Sequence, residues 1–160
     1  MFYHNQKINH VKFLNDNIVF GNLFHEFMSK IETQANYSTE KNELIYSKSV
    51  DKNIKNKVLD FSKKVIEHPD LKRYFSKTNR VYCEQEIFTE SKKIIKPDRL
   101  IFLNSNRVAI VDYKTGEKTK KDQQQVLKYQ KTLEEMGYQV EALILVYIES
   151  SVDLVYVTKN

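Results

Sequence analysis

The amino-acid sequence predicts an α/β domain, with a central mixed sheet of about five strands flanked by helices. Up to residue 79, apolar residues recur with helical spacing. From residue 80 they alternate or form short continuous runs, as strands do, and one further helical stretch covers 119–136. The predicted order is helices, three strands, a helix and two strands. This order favours one mixed sheet with helices on its faces.

Length and composition indicate one globular domain over residues 1–160, without an internal repeat or linker. The chain has 160 residues, of which 41% are hydrophobic, enough to bury a core. Its net charge of +5 favours polyanionic partners without specifying one. The single Cys83 excludes an internal disulfide and a four-cysteine metal site. The chain lacks a long apolar run and a signal-peptide pattern, so we expect a cytoplasmic protein without membrane contact.

The N-terminal half is predicted to be helical after a polar leader. Residues 1–18 are polar and rich in asparagine, and we expect them to dock loosely. The N-terminal helices would occupy 19–79, beginning with an amphipathic helix over 19–31. A loop with a short helix is expected at 37–46, and a second amphipathic helix at 54–66. These helices would cover the sheet.

The core sheet and its one helix, at 119–136, are predicted within 80–160. Five strand-like runs share β-branched and aromatic residues, and they cover 81–88, 97–103, 108–114, 140–148 and 152–157. The second and third runs flank an Asn/Ser turn, which is typical of a β-hairpin. Gly137 follows the helix at the position where a left-handed residue ends many helices.

One end of the predicted hairpin collects two carboxylates and an ammonium group. Side chains alternate along a strand, so Asp112 and Lys114 point to one face and Tyr113 to the other. Pairing of the two strands would bring Asp98 beside Asp112. Carboxylate oxygens are ligands that Mg²⁺ or Mn²⁺ prefers, and a nearby lysine can steady a phosphate or orient a water. Taken alone, these residues fit equally well a hairpin end whose charges are only solvated.

Other polar residues near the hairpin also allow two interpretations. Glu84 and Glu86 share one face of the first strand, where either could reach a metal or both could face solvent. Gln125 and Tyr129 lie one helical turn apart and could bind a phosphate or stack on a base of single-stranded DNA. They could equally be a surface glutamine beside a half-buried tyrosine. His25 alone would be a structural histidine at the edge of an apolar stripe.

Five motifs in one order distinguish between these interpretations. Gly21–His25 has the pattern G-x-x-x-H, and a glutamate-bearing strand follows at 84–88. Then come Pro-Asp-Arg at 97–99, Asp-Tyr-Lys-Thr-Gly at 112–116, and Q-x-x-x-Y at Gln125–Tyr129. Over roughly residues 19–148 the chain resembles the RecB/AddA-type branch of the PD-(D/E)XK nuclease superfamily. It is especially similar to the nuclease domain at the C-terminus of bacterial UvrD-like and AddA-like helicases.

The resemblance implies a PD-(D/E)XK core, which is a restriction-endonuclease-like fold, with a metal centre. His25, Asp98 and Asp112 would bind Mg²⁺ or Mn²⁺, together with the main-chain carbonyl of Tyr113. Lys114 would position or activate the attacking water and stabilise the developing negative charge. Such a metal-held site can supply what phosphodiester hydrolysis requires.

The resemblance also implies residues that contact the substrate. Gln125 and Tyr129 would hold the DNA strand or support the site. Apart from the resemblance, the sequence leaves open whether Lys120 and Lys121 grip the DNA backbone or form only a solvated helix start. Glu86 is predicted as an additional catalytic acid, and Glu84 on the same strand is a weaker candidate for this role.

The predicted function is that of a divalent-metal-dependent DNA nuclease, acting as an exonuclease on ends or single strands in recombination and repair. The sequence has no G-x-x-x-x-G-K-[ST] phosphate loop and therefore no motor of its own. It is either a domain of a longer helicase–nuclease or a free-standing relative that works alone or with a separate motor. The cysteines that hold an iron–sulfur cluster in some relatives are missing, so no cluster is expected.

Three alternatives remain open from the sequence. A structure-selective endonuclease on the same core would form a symmetric dimer. A catalytically idle DNA-binding scaffold would be expected to have lost Asp98, Asp112 or Lys114, which are all present. A structural domain with chance motifs would leave His25 far from the hairpin acids.

Overall fold

A computed structural model describes residues 2–90 and 92–158. It contains four α-helices, α1 (Phe2–Ser29), α2 (Tyr37–Tyr46), α3 (Lys52–Glu67) and α4 (Lys120–Glu135). Single 3₁₀ turns lie at Gln34–Asn36 and Lys72–Phe75. The seven strands are β1 (Arg80–Cys83), β2 (Ile87–Phe88), β3 (Ile94–Ile95), β4 (Arg99–Phe102), β5 (Arg107–Lys114), β6 (Gln139–Ile148) and β7 (Val152–Tyr156).

The central sheet has five strands in the order β1-β4-β5-β6-β7. β5 and β6 are parallel and are joined through α4, whereas every other neighbouring pair is antiparallel. A parallel pair needs such a crossover, and the helix between the two runs provides it. The prediction of a mixed five-stranded sheet flanked by helices is therefore confirmed.

Two apolar layers cover the two faces of the sheet. On one face, α1 and α3 pack against Ile101, Val111 and Ile144. On the other face, α4 packs against Leu100, Ile110 and Leu145. Because side chains alternate along β5, Asp112 and Lys114 lie on the α4 face while Tyr113 lies on the α1 face. The predicted burial of β6 is also observed, since residues 143–148 are buried.

Helix α1 is longer than the sequence analysis predicted. It begins at Phe2, so the expected leader at 1–18 is helical over all its described residues. No Gly precedes Gly21 and no Pro precedes Pro69, so nothing interrupts the helix. Among the residues of this segment whose side chains are described, Phe13, Leu14 and Ile18 are exposed. Apolar residues that stay exposed need not follow the helical spacing that burial of one face imposes, which is why the sequence did not indicate this part of the helix.

The prediction of a single strand over 81–88 is wrong, because two separate strands lie in this segment. β1 ends at Cys83, and Glu84 adopts a positive φ of 51° that turns the chain. Ile87–Phe88 then pairs with Ile94–Ile95 in a separate two-stranded sheet. The break places Glu84 and Glu86 in different surroundings rather than on one strand face. Among the described residues, no helix combines the length and apolar character needed to cross a membrane.

Candidate metal centre

Helix α1 passes close to the end of β5 because Gly21 has no side chain. A Cβ atom at this buried position would lie 2.7 Å from Thr115 Oγ1. Real Cβ atoms do not approach other atoms so closely, so any larger residue would push the helix or Thr115 away. The close approach sets His25, one turn later, over the end of the sheet. In the first motif, Gly21 therefore allows the close approach of the helix, and His25 brings an imidazole to the end of the sheet.

His25 meets two carboxylates that come from distant parts of the chain. Its Nδ1 atom lies 3.4 Å from Asp98 Oδ1 and 3.6 Å from Glu84 Oε1. One ligand atom from each of these three residues lies within 4.8 Å of the others. An imidazole nitrogen with two carboxylate oxygens is a donor set that can hold a divalent cation. The proximity of His25 to Asp98 contradicts the alternative of a structural domain with chance motifs.

Asp98 and Asp112 lie at adjoining positions at one end of the hairpin. Arg99 pairs with Val111 in the β4–β5 ladder, which places their neighbours Asp98 and Asp112 at adjoining positions. Asp98 Oδ2 accepts a hydrogen bond of 2.7 Å from the main-chain N–H of Tyr113. The predicted pairing of the two acids is therefore present in the structure.

Asp112 is a buried carboxylate that is only partly compensated. Its residue is 1% exposed, and burial, together with the negative charge of Asp98, raises the pKa of Asp112 to about 6. Lys114 opposes this shift, since its Nζ atom lies 2.7 Å from Asp112 Oδ2. Within the described residues, this contact with Lys114 is the compensation that the structure gives Asp112 Oδ2. A divalent cation beside Asp98 and Asp112 would relieve this excess negative charge, so the donor set fits a metal.

The charge of His25 depends on the same acids. Burial lowers the pKa of His25, but Asp98, followed by Glu84 and Asp112, outweighs this effect and raises it above the usual value. The imidazole must be neutral to bind a metal, so metal binding at this site would release a proton whenever His25 is protonated.

A chain of hydrogen bonds holds Lys114 in place. Lys114 Nζ donates to Gln125 Oε1 at 2.7 Å, and Gln125 Nε2 donates to Tyr129 Oη at 2.7 Å. Tyr129 Oη in turn donates to the main-chain carbonyl of Lys96 at 3.2 Å. Burial raises the pKa of Tyr129 to about 12, so its hydroxyl keeps its proton and can act as this donor. The Q-x-x-x-Y motif thus orients the lysine of the hairpin.

Two basic residues near the site were not predicted from the sequence. Lys96 Nζ lies 3.0 Å from Glu84 Oε2. Arg99 is fully buried, and its guanidinium donates to the main-chain carbonyls of Ile31 (2.6 Å), Tyr74 (3.0 Å) and Glu32. Arg99 therefore ties the C-terminal end of α1 to the strand that carries Asp98. A charged residue inside an apolar strand run was the signal that could have indicated a buried partner.

Three other predicted positions, Glu86, Lys120 and Lys121, are not part of the three-residue cluster. Glu86 is exposed, and Lys120 and Lys121 are exposed in the first turn of α4. The Tyr113 side chain is buried on the α1 face, so only its main chain adjoins the acids. The roles assigned to these residues stay predictions. Glu86 was the stronger of the two candidates in the sequence, whereas in the structure the turn after β1 brings Glu84 to His25.

Comparison with known proteins places the chain in a family. A family model described as the PD-(D/E)XK nuclease superfamily matches residues 2–157. Among solved structures, the crystal structure of SSO0001 is similar, with 16% sequence identity and a TM-score of 0.38. This match covers 84% of the present chain and 66% of that chain, so the present chain spans slightly less than two thirds of its length. No match was found among curated proteins.

Proposed function

The chain belongs to the PD-(D/E)XK nuclease superfamily, whose members are generally metal-dependent nucleases, and we propose that it hydrolyses phosphodiester bonds in DNA with Mg²⁺ or Mn²⁺. The observation that carries this proposal is the convergence of His25, Glu84 and Asp98 beside Asp112 and its ion pair with Lys114. Three of these positions are far apart in the sequence, and only the fold brings them together.

In this proposal four side chains hold the metal, namely those of His25, Glu84, Asp98 and Asp112. The main-chain carbonyl of Tyr113 is a fifth donor, predicted from the resemblance. When bound, a divalent cation supplies a water of lowered pKa and neutralises charge on the phosphate. Asp98 already accepts the Tyr113 N–H through Oδ2, which fixes the carboxylate and leaves Oδ1 on the side of His25.

Lys114 is the proposed partner of the attacking water and of the phosphate charge. Its ammonium lies between Asp112 and Gln125, which leaves it few alternative positions. A held ammonium stabilises the developing charge without reorganising during the reaction. Gln125 and Tyr129 would support this geometry, while Glu86, Lys120 and Lys121 are proposed as outer contacts to metal-bound water or to the DNA backbone.

The finer assignments rest on the resemblance to the RecB/AddA-type branch. We propose an exonuclease that acts on ends or single strands during recombination or repair in the cytoplasm. It would work beside a helicase motor in the same or another chain. A structure-selective endonuclease on the same core is the alternative, and it predicts internal cuts and a symmetric dimer.

Cleavage of end-labelled single- and double-stranded DNA tests the proposal. The wild type should degrade DNA with Mg²⁺ or Mn²⁺ and not with EDTA. Asp112→Ala and Lys114→Ala should each lower the rate by a factor of about 100 or more, as expected for groups that act on the reacting atoms. A product ladder from one end would indicate exonuclease action. Metal-independent cleavage, or full activity in both variants, would contradict the proposed site.

A further inference from the structure

Lys96 presents an ammonium group to the metal centre from a fixed position on the main chain. Its neighbours Ile95 and Pro97 are buried, whereas Lys96 itself is exposed. A proline restricts the backbone of the residue that precedes it. The main-chain carbonyl of Lys96 also accepts the hydrogen bond of Tyr129, the residue that fixes Gln125. The exposed side chain can therefore exchange partners while its main chain stays at the edge of the centre.

The partner of Lys96 is Glu84, one of the proposed metal ligands. Lys96 Nζ lies 3.0 Å from Oε2 of this carboxylate, whose Oε1 lies 3.6 Å from His25 Nδ1. The main-chain N–H of Glu84 donates to the carbonyl of Asp98 at 3.0 Å. Glu84 also has a positive φ of 51°, which residues other than glycine rarely adopt. Such strain is commonly kept at functional sites, which favours a functional role for this corner of the centre.

Stability does not account for the pair of Lys96 and Glu84. The two side chains are 49% and 28% exposed, and an ion pair so accessible to water contributes little to the folded state. A divalent cation attracts a carboxylate more strongly than a single ammonium does, because it carries twice the charge. Metal binding by Glu84 would therefore break this ion pair and leave the ammonium of Lys96 beside the cation.

The charges of the centre indicate what Lys96 would then bind. Within the described residues, three carboxylates meet two ammonium groups, and these charges belong to Glu84, Asp98, Asp112, Lys96 and Lys114. With a divalent cation and a neutral imidazole, the centre would have one net positive charge, and without Lys96 it would have none. A net positive charge attracts a phosphate, and an ammonium group is a point charge that suits a phosphate oxygen.

We propose that Lys96 is a second phosphate-binding lysine of the centre, which Glu84 holds in the metal-free protein and which a bound cation releases to the nucleic acid. The inference rests on the proposed function, because it takes Glu84 as a metal ligand and a phosphodiester as the substrate. Lys114 contacts Asp112, whereas Lys96 contacts Glu84. The two lysines thus reach the centre through different carboxylates.

The affinity for Mn²⁺, measured by titration calorimetry, gives the first test. Lys96→Gln should bind Mn²⁺ about threefold to tenfold more tightly than the wild type, because a competing and repelling ammonium is removed. Lys93→Gln is the matched control, since it loses the same charge and an ion pair of similar exposure with Glu135, and it should bind like the wild type. Equal or weaker Mn²⁺ binding by Lys96→Gln would mean that Lys96 does not compete for Glu84, and would overturn the inference.

The affinity for labelled single- and double-stranded DNA, measured by fluorescence anisotropy, gives the second test. A Lys114→Ala background keeps cleavage slow during the measurement. With saturating Mn²⁺, adding Lys96→Gln should weaken binding about fivefold and lower the slope of log affinity against log salt by about one, as expected for loss of one phosphate contact. In EDTA the same substitution should have no effect, because Glu84 then holds Lys96.

A conservative variant and a folding control complete the second test. Lys96→Arg keeps the positive charge and should bind DNA as the Lys96 protein does, whereas Lys93→Gln should leave the Mn²⁺-dependent part of the affinity unchanged. Circular dichroism melting in EDTA should show that all variants fold. A DNA affinity that Lys96→Gln leaves unchanged with Mn²⁺, or lowers equally with and without Mn²⁺, would overturn the inference.

These outcomes separate the inference from the proposed function. Absence of Mn²⁺ binding by the wild type would reject both. Metal-dependent cleavage by a protein in which Lys96→Gln changes neither affinity would reject the inference alone. A Mn²⁺-dependent contribution of Lys96 to DNA binding, in a wild type that cleaves no DNA, would reject the nuclease proposal and leave the phosphate contact standing.

Discussion

At the residue scale, Asp112 is a proposed metal ligand whose burial costs stability. It is buried beside Asp98, and burial raises its pKa to about 6 from the usual 3.8. In the metal-free protein, the folded state therefore binds this proton more tightly than the unfolded state. The contribution of Asp112 to stability is complete below pH 3.8 and is lost as the pH rises through about 6. Burial of the ionised form then weakens the folded state at neutral pH.

Replacing the carboxylate by an amide should reverse this effect. We expect Asp112→Asn to raise the melting temperature of the EDTA-treated protein at pH 8, by about 2–4 °C for each kcal/mol gained. At pH 4 the difference should vanish, and added Mn²⁺ should stabilise the wild type more than the variant. Calorimetry at the two pH values checks this. A variant that melts at a lower temperature than the wild type at pH 8 would contradict this. It would show that loss of the ion pair with Lys114 destabilises the protein more than burial of the ionised carboxylate does.

The hydroxyl of Tyr113 makes a second prediction possible. The side chain is 2% exposed, and its oxygen has no hydrogen-bond partner among the described residues. An unsatisfied buried hydroxyl costs about 1–3 kcal/mol, so Tyr113→Phe should leave stability unchanged or increase it. Because only the main chain of this residue is proposed to bind the metal, cleavage should continue. Urea unfolding and a cleavage assay check both parts, and a tenfold loss of activity would give the hydroxyl a role.

Single residues also mark the limit of what the sequence could indicate. Asp98, Asp112 and Lys114 were predictable, since strand alternation and a hairpin fix their positions relative to one another. Glu84 was ranked below Glu86 because a turn at a positive φ in a glutamate is not visible in an alternating pattern. Lys96 could not be recognised either, because its partner Glu84 lies in another segment.

At the scale of elements, the contact between α1 and the end of β5 is the tightest constraint near the site. In Gly21→Ala, the new Cβ would lie 2.7 Å from Thr115 Oγ1, which is too close. Its distance to Thr115 Cβ would be 3.6 Å, which is an ordinary van der Waals contact, so the clash is with the hydroxyl alone. In the wild-type background we expect Gly21→Ala to destabilise the protein by about 1–2 kcal/mol and to reduce cleavage, because His25 moves with the helix. In a Thr115→Ala background the same change should be neutral or stabilising, because alanine favours a helix over glycine by about 1 kcal/mol.

A double-mutant cycle measured by urea unfolding tests this contact. The coupling between the two substitutions should be at least about 1 kcal/mol. Additive effects would mean that α1 and the turn after β5 adjust independently, and that the glycine is not required for the close approach.

The end of α1 is joined to the sheet by Arg99, whose fixed fork of donors reaches three carbonyls. A lysine cannot satisfy three separated acceptors, so Arg99→Lys should destabilise the protein by about 3 kcal/mol. Arg107→Lys at the exposed start of β5 is the matched control, because a lysine can keep its ion pair with Glu141, and it should change stability by less than about 0.5 kcal/mol. Equal decreases in the melting temperature of the two variants, measured by calorimetry, would contradict a stabilising role for the three hydrogen bonds of Arg99.

Elements were predictable where they pack and obscure where they do not. Burial covers one or both faces of the helices at 52–67 and 120–135 and of the strands of the central sheet. A buried face requires apolar residues at a regular spacing, and this spacing is visible in the sequence. The exposed part of α1 buries little and was taken for a leader. The two-residue strands β2 and β3 are too short to show a period at all.

At the scale of the whole molecule, a chain of positive net charge contains an acidic cluster. The net charge of +5 favours approach of a polyanion, while Glu84, Asp98 and Asp112 would repel a phosphate unless a cation neutralises them. The proposed ligands come from α1, from the turn after β1, and from the hairpin of β4 and β5. No local segment of the sequence could predict their meeting, and the resemblance to a family supplied what periodicity could not.

The most direct test of the account is the affinity of the protein for Mn²⁺, measured by titration calorimetry. Glu84→Gln removes a carboxylate that lies 3.6 Å from His25, and Glu86→Gln is a matched control at an exposed position two residues away. We predict that the wild type and Glu86→Gln bind Mn²⁺ alike, and that Glu84→Gln binds at least about tenfold more weakly. Absence of Mn²⁺ binding by the wild type, or equal affinity in all three proteins, would contradict a metal centre built from His25, Glu84 and Asp98.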